Sequence, residues 1–251
     1  MTIRALTFGS AAEAYERYRP GYSEELVDLV LEAGPRDAVE IGAGTGRATR
    51  LLGARGVRIT AVEPDPAMRE VLRRTTDGLP VTIVGSTLEE LPAHPPVDLL
   101  YAAAAWHWTD PDGRWERAAR LLREGGTFAS FGSPVDLVDQ ELADVVDRLR
   151  FAVTESDPEH ETDDDGMQWP GTELRRTPYF TDVRQDHQPL TYDVPADDFV
   201  GLLSTISAYL VLPAPERAEL LGRIRGVLPD TVALRQDLWL HRATRTAVPV
   251  S

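Results

Sequence analysis

Three short stretches of this 251-residue chain place ligand-binding or reactive groups at informative spacings. In Glu40-Ile41-Gly42-Ala43-Gly44-Thr45-Gly46, glycines alternate between an apolar run and a helical pattern. Glycines at such a junction let the backbone turn tightly and approach a ligand with no side chain in the way. The dinucleotide fingerprint needs G-x-G-x-x-G, but Arg47 stands at its third glycine position, and no lysine follows as in a triphosphate loop. The loop therefore points away from a dinucleotide pyrophosphate and from a nucleoside triphosphate. Further on comes Glu63-Pro64-Asp65. An acid about 20 residues past a glycine loop is placed to accept from both ribose hydroxyls of an adenosine. The alternative for Glu63 is a surface or helix-capping acid, and capping is the better reading for Asp65. The third stretch, Ala105-Trp106-His107-Trp108-Thr109-Asp110-Pro111, sets an imidazole that titrates near neutrality between two indoles.

Regular elements must hold these groups. Residues 38–42 predict a buried strand and 45–54 a helix; 58–62 predict a second strand, with a helix from Asp65 that has Pro66 in its first turn. Residues 81–85, 97–103 and 126–132 read as three more strands, with a helix over 112–123. Strands alternating with helices predict a parallel sheet with right-handed crossovers, and ligands then sit beyond the carboxyl ends of the strands. After Gly132 the rhythm changes. Residues 137–154 predict an amphipathic helix, with Leu142, Val145, Val146, Leu149 and Val153 on one face. The acidic stretch 157–166 reads as solvated chain, 179–194 as strand material, 197–212 and 215–227 as helices, and 231–242 as a last strand.

Composition narrows the chemistry further. With 41 acids, 26 basic residues and a net charge of −15, the chain disfavours nucleic acid and anionic membranes as partners. Residues 135–200 hold 18 acids and 5 arginines, a net of −13, which leaves only −2 for the remainder. Cysteine is absent, which excludes a disulfide framework, a thiol nucleophile and a thiolate zinc site. Every basic residue is arginine, so no Schiff-base lysine is available. No metal is expected: the histidines lack ligand spacing, and Asp163-Asp164-Asp165 reads as an exposed run. No apolar run approaches the roughly 20 residues of a membrane span. The first residues lack a secretory apolar stretch, so a cytoplasmic location is the expectation.

Taken together, Glu40 to Gly46, the acid at Glu63 and the Ala105-Trp106-His107-Trp108 step resemble the class I S-adenosylmethionine-dependent methyltransferases. The nearest likeness is to the type 11 small-molecule branch, which includes trans-aconitate-methyltransferase-like proteins. Phe8, Tyr15, Tyr18-Arg19-Pro20-Gly21-Tyr22 and Thr87-Leu88-Glu89-Glu90-Leu91-Pro92 are similar to that branch's patterns, and a weaker likeness returns at 204–209 and the last strand. The resemblance implies a Rossmann-like, seven-stranded, mostly parallel sheet with an antiparallel last strand and a helical cap inserted after the fifth strand. It divides the chain into an N-terminal helical cap segment (1–34), a cofactor core (35–132), an acidic helical substrate cap (133–178 and 195–230) and C-terminal strands (179–194 and 231–245).

The same resemblance implies S-adenosylmethionine as cofactor and S-adenosylhomocysteine as its product. Gly42, Ala43, Gly44 and Gly46 would lie beneath the methionine portion, Glu40 near its amino group, and Glu63 with Pro64 at the ribose. Thr87 stands where relatives carry an aspartate for the adenine amino group, with the Leu88 N–H beside it. Ala104 and Ala105 would line the loop where the methyl emerges. Tyr15 and Arg19 would close over the cofactor, Arg19 near its carboxylate; the alternative is a solvated helix with aromatic anchors. Trp106, His107, Tyr22 and Tyr209 are the acceptor-side candidates. Trp106 is expected to face cofactor or acceptor, because an aromatic face suits a sulfonium methyl. His107 is the candidate base, needed only if the acceptor atom starts protonated; its alternative is to pack and hold the loop. The −13 segment implies a neutral or cationic acceptor rather than a polyanionic one. Other outcomes open on this fold are a lyase or cyclase that keeps the cofactor, or a non-catalytic binding protein.

Overall fold

The computed structural model describes residues 8–132, 134–150 and 162–248. A 3-10 turn at Phe8–Ala11 leads into helix α1 (Ala12–Tyr18) and then α2 (Glu24–Val30). The Ser23 hydroxyl accepts from the Leu26 N–H and so satisfies one of the free donors at the start of α2. β1 (Asp37–Ile41), α3 (Arg47–Ala54), β2 (Arg58–Val62), α4 (Pro66–Thr75), β3 (Val81–Val84) and β4 (Val97–Ala103) follow in alternation. Asp65 caps α4, accepting from the Ala67 and Met68 N–H groups, and the proline at the first helical position has no N–H to leave unpaired.

Helix α5 (Arg114–Leu121) passes directly into β5 (Leu122–Gly132), which starts at Leu122 rather than at 126. Gly125 and Gly126 break the apolar pattern, yet pairing runs through them by a register shift: Leu122 opposes Val97 and Thr127 opposes Leu99. The later elements are β6 (Val135–Leu137), α6 (Gln140–Arg150), α7 (Gly171–Arg176), β7 (Phe180–Pro195), α8 (Ala196–Leu203), α9 (Ser207–Leu210), α10 (Ala214–Val227) and β8 (Thr231–Arg245). One expected helix, 197–212, is two. The Ser204 and Thr205 hydroxyls donate back to the Gly201 and Leu202 carbonyls, taking acceptors the helix ladder would use. The end of the expected 137–154 helix and half of the acidic run lie outside the described residues.

The sheet order is β3-β2-β1-β4-β5, all parallel, followed by β8 antiparallel to β5 and then β7 antiparallel to β8. This is the expected Rossmann-like mixed sheet. Short β6 carries on β5's pairing with β8 in unbroken register: Gly132 opposes Trp239 and Val135 opposes Gln236. The start of β8, the end of β7 and β6 thus extend beyond the carboxyl ends of the parallel strands.

Alternation along β1 and β4 splits the core into two layers. Ala38, Leu99 and Tyr101 pack with residues of α2 and α3, while Val39, Ile41, Leu100 and Ala102 pack with residues of α5 and α7. A third apolar cluster sits on the extension, where Leu137, Leu234 and Val232 meet Val146, Phe199 and Ile224 of α6, α8 and α10. The N-terminal helix α1 docks on α8 so closely that a methyl on Gly201 would lie 2.7 Å from the Tyr18 ring. Among the described residues no helix is long and apolar enough to cross a membrane, and no group of three acidic or histidine side chains is arranged to hold a metal.

One polar tie fastens α7 beneath the sheet. The buried Arg114 guanidinium donates to both Glu173 oxygens, at 2.7 Å each, and the Trp115 and Trp169 indoles donate to the same carboxylate at 2.8 and 3.1 Å. Removing one partner strands a buried cation, which typically costs ~3–5 kcal/mol. Glu173 is partly exposed, so Glu173→Ala is expected to lower unfolding free energy by about 2–3 kcal/mol in chemical denaturation; a loss under about 0.5 kcal/mol, the ordinary scale of a surface change, would refute the tie.

Candidate active site

The glycine loop closes at the carboxyl end of β1, and each of its glycines answers to a different constraint. Gly42 and Gly44 have φ of 69° and 57°, the left-handed region that side chains disfavour. A methyl on Gly42 would sit 2.5 Å from the Ala105 Cβ, so the loop after β1 and the loop after β4 touch only because that methyl is missing. A methyl on Gly44 would meet nothing within 4 Å, which leaves clear space above the loop. Gly46 ends the turn against α4, where a methyl would lie 2.7 Å from Leu72 and 2.8 Å from Thr75.

Two carboxylates flank this loop. Glu40, 1% exposed, stands opposite Tyr101 in the β1–β4 register. Its Oε2 accepts from the Tyr101 hydroxyl at 2.8 Å and the Thr49 hydroxyl at 2.5 Å, whereas its Oε1 is buried without a partner among the described residues. Burial pushes the Glu40 pKa up to about 8, the two hydroxyls oppose that rise, and nearby Glu63 adds to it. Glu63 accepts from the Gly44 N–H through Oε2 and from the Asp65 N–H through Oε1, both at 2.8 Å. Burial raises its pKa as well, against those two backbone bonds. The arrangement is an acid-lined recess suited to a cation.

Around the recess the structure gathers some expected residues and sends others elsewhere. Arg69 fixes the Glu63-Pro64 turn by donating to both carbonyls, at 2.8 and 2.7 Å. Leu88 is buried in the same apolar layer as Ala105, and the Thr87 hydroxyl accepts from the Glu90 N–H at 3.3 Å. Ala104 is exposed at φ 51°, unusual for a residue with a side chain, and its N–H donates to the Phe131 carbonyl at 2.7 Å. Tyr22 packs edge-on against Phe131 at 5.0 Å; its phenol pKa is raised by burial first, then by Tyr15 and Glu40. Arg19 lies over the Tyr15 ring at 5.1 Å and donates to the Thr205 hydroxyl and carbonyl at 2.9 and 3.2 Å, strapping the N-terminal segment to the α8–α9 turn. His107 is exposed just past β4, its ring 4.5 Å from that of Trp108.

Two expectations are corrected. Trp106 turns inward: it is 1% exposed and packs against Trp115 at 5.2 Å and Phe128 at 4.8 Å, on the layer opposite Glu40. Burying so large a ring is worth about 2–3 kcal/mol, which outweighs an exposed cation–π contact of ~0.5–1 kcal/mol. Tyr209, also 1% exposed, belongs to the core of the third cluster and offers no open face.

Sequence reasoning missed the groups that orient the recess. Tyr101 and Thr49 bond Glu40 from another strand and from a helix. Glu16 of α1 accepts from the Thr45 hydroxyl and from Arg50, both at 2.7 Å, and Arg47 donates to the Glu16 and Pro20 carbonyls. One signal was readable: Tyr101 is the sole polar-tipped residue in the middle of an apolar strand run.

A family model described as a methyltransferase domain matches residues 39–130. An uncharacterized methyltransferase of Mycobacterium tuberculosis is 34% identical over 239 residues, covering 92% of this chain and 88% of that protein. A trans-aconitate 2-methyltransferase of Methylobacterium radiotolerans is 34% identical over 148 residues, covering 57% and 52% respectively. Among solved structures, a putative type II methyltransferase from Anaeromyxobacter dehalogenans superimposes with a TM-score of 0.63 at 26% identity, over 90% of this chain and 98% of that one.

The recess sets a pH signature. Folded protein holds the Glu40 proton up to about pH 8, whereas the unfolded chain releases it near 4.5, so stability falls as pH rises through that window. Between pH 6 and 8 the loss is expected to be about 2 kcal/mol in urea unfolding, and Glu40→Gln should remove most of that slope, Glu63 supplying the rest. An identical slope in Glu40→Gln would show that Glu40 is not the titrating group.

Proposed function

The chain belongs to the class I S-adenosylmethionine-dependent methyltransferases, and on that premise we propose that it moves the sulfonium methyl of S-adenosylmethionine to a small-molecule acceptor. The observation that carries this reading is the unpaired Glu40 Oε1. A buried carboxylate oxygen with no donor is costly, and the cofactor's ammonium is a donor of the right charge. The open space above Gly44 and the second carboxylate at Glu63 fit the rest of that cation. The donor set therefore suits the cofactor.

Bound there, the cofactor supplies an electrophilic methyl whose departure needs no acid. Glu40 holds the ammonium through Oε1, kept in place by Tyr101 and Thr49. Glu63 accepts from the ribose hydroxyls with lone pairs its two backbone bonds leave over, and Pro64 shapes that turn. Gly42, Ala43 and Gly46 form the floor, Leu88 and Thr87 take the adenine end, and Ala104 with Ala105 lines the methyl's exit. Tyr15, Arg19 and Tyr22 cover the site from the N-terminal side. His107, exposed beyond β4, is the group to accept a proton from an acceptor that must lose one.

The acidic cap supports a neutral or cationic acceptor. A polyanionic acceptor would need Arg150, Arg175 or Arg176 turned inward to focus positive charge on it. Arg175 is paired with Asp163 and Asp165 at 2.6 and 3.3 Å, and Arg150 with Asp147 at 2.8 Å. The net of −13 over residues 135–200, which already counts these arginines, is what supports that reading.

Wild-type protein is expected to gain several degrees in Tm with S-adenosylhomocysteine, and Gly44→Val to gain none, because a branched side chain would fill the space above the loop. The backbone at Gly44 adds a folding penalty of about 1–3 kcal/mol to that variant. A Gly44→Val protein that keeps the ligand-induced shift would overturn the loop assignment.

A further inference from the structure

On the sheet face that carries Glu40, a polar side chain interrupts the apolar row of β8 between its two pairs of clustered residues. Leu238 and Leu240 of β8 belong to the cluster under α2 and α3, and Leu234 and Val232 to the cap cluster. Between them on the same face stands Gln236, 5% exposed. The strand register brings polar neighbours beside it. Gln188 opposes Leu238, Leu190 opposes Gln236, and Tyr192 opposes Leu234. Two of these side chains have a buried polar atom with no partner among the described residues, Gln188 Nε2 and Tyr192 Oη. The Gln188 Oε1 accepts from the Ser23 hydroxyl at 2.8 Å, which leaves the amide N–H groups as the unused end. Leu190, between the two, is 41% exposed, so this row of side chains reaches solvent on β7.

This polar row connects to the recess through a short series of contacts. Ser23 directly follows Tyr22, whose ring meets Phe131 at 5.0 Å; Phe131 lies parallel to Tyr101 at 6.3 Å; and the Tyr101 hydroxyl bonds Glu40. An unpaired buried amide or hydroxyl costs about 1–3 kcal/mol, and two of them on either side of the exposed Leu190 suit a ligand that completes them.

Resting on the methyltransferase reading above, we propose that Gln188, Tyr192 and Gln236 recognise the methyl acceptor, and that this acceptor is a neutral molecule presenting carbonyl, ether or hydroxyl oxygens. The three groups are two amides and a phenol, all uncharged. Arginines of the surrounding elements are engaged: Arg19 with Thr205, Arg47 with Glu16 and Pro20, Arg235 with Asp237, and Arg242 with Glu32, Asp186 and the Leu29 carbonyl. A carboxylate entering here would exchange its hydration for neutral donors alone, which is unfavourable. A cation would find no carboxylate in the row.

The test uses protein saturated with S-adenosylhomocysteine and three probes of matched shape: 4-hydroxybenzamide, 4-hydroxybenzoate and 4-hydroxybenzylamine, titrated by ligand-observed NMR at millimolar concentration. The benzamide is expected to bind at least about fivefold more tightly than either charged probe, the scale of one neutral hydrogen bond. Gln188→Leu and Tyr192→Phe should each weaken it about fivefold while leaving S-adenosylhomocysteine affinity unchanged. Tyr192→Phe keeps the ring and so the packing. Equal or tighter binding of a charged probe, no binding of the benzamide, or benzamide binding indifferent to both substitutions would overturn the proposal. Failure of S-adenosylhomocysteine itself to bind would overturn the underlying cofactor reading instead, and is read separately.

Discussion

A carboxylate buried at the end of β1 is the constraint around which the rest is arranged. Glu40 sits in the middle of the sheet, where desolvation makes a charge expensive, and among the described residues only one of its two oxygens is bonded. The strand order explains its partners. Because β4 lies beside β1, Tyr101 falls directly opposite Glu40; because the glycine loop curls back in left-handed turns, α3 begins over the strand end and brings Thr49 within reach. Neither partner serves the second oxygen, and the loop leaves open space at Gly44. A fold optimised only for stability would place an apolar residue here.

The same strand end organises the pieces around it. Gly42 lets the loop after β4 press against the loop after β1, which brings Ala105 against the glycine loop. On the other side, α1 is held to the loop through Glu16 and to the cap through Arg19 and Tyr18. The cap in turn stands on strand extensions beyond β5, where β6, β7 and β8 continue the sheet after the parallel strands end. Core, N-terminal helix and cap therefore meet along one face, the face that carries Glu40 at one end and Gln188, Gln236 and Tyr192 at the other.

Periodicity made most of this framework readable in advance. The alternating strands and helices of the first half, the cap at Asp65 and the glycine loop follow from local rules that tertiary contacts did not disturb. Where local rules failed, a longer-range interaction decided the outcome. Trp106 reads as an aromatic facing cofactor or acceptor, but Trp115 and Phe128 offer it a buried aromatic site that no local pattern reveals. The start of β5 was hidden by Gly125 and Gly126, which fall in a register shift between the paired Leu122 and Thr127. The single helix over 197–212 breaks because two hydroxyls compete for its carbonyls. Gln188 lies in a stretch legible only as strand material, and its significance depends on the register with β8, which sequence spacing does not specify.

The central claim is that the Glu40 Oε1 awaits a cationic ligand. Its most direct test is isothermal titration of S-adenosylmethionine into the protein at pH 7, in two buffers of different ionisation enthalpy. With the Glu40 pKa held near 8 in the free protein, binding should release close to one proton as the ammonium pulls the carboxyl into its charged form, and Glu40→Gln should release almost none. Binding of equal affinity with no proton release in either protein would contradict the account.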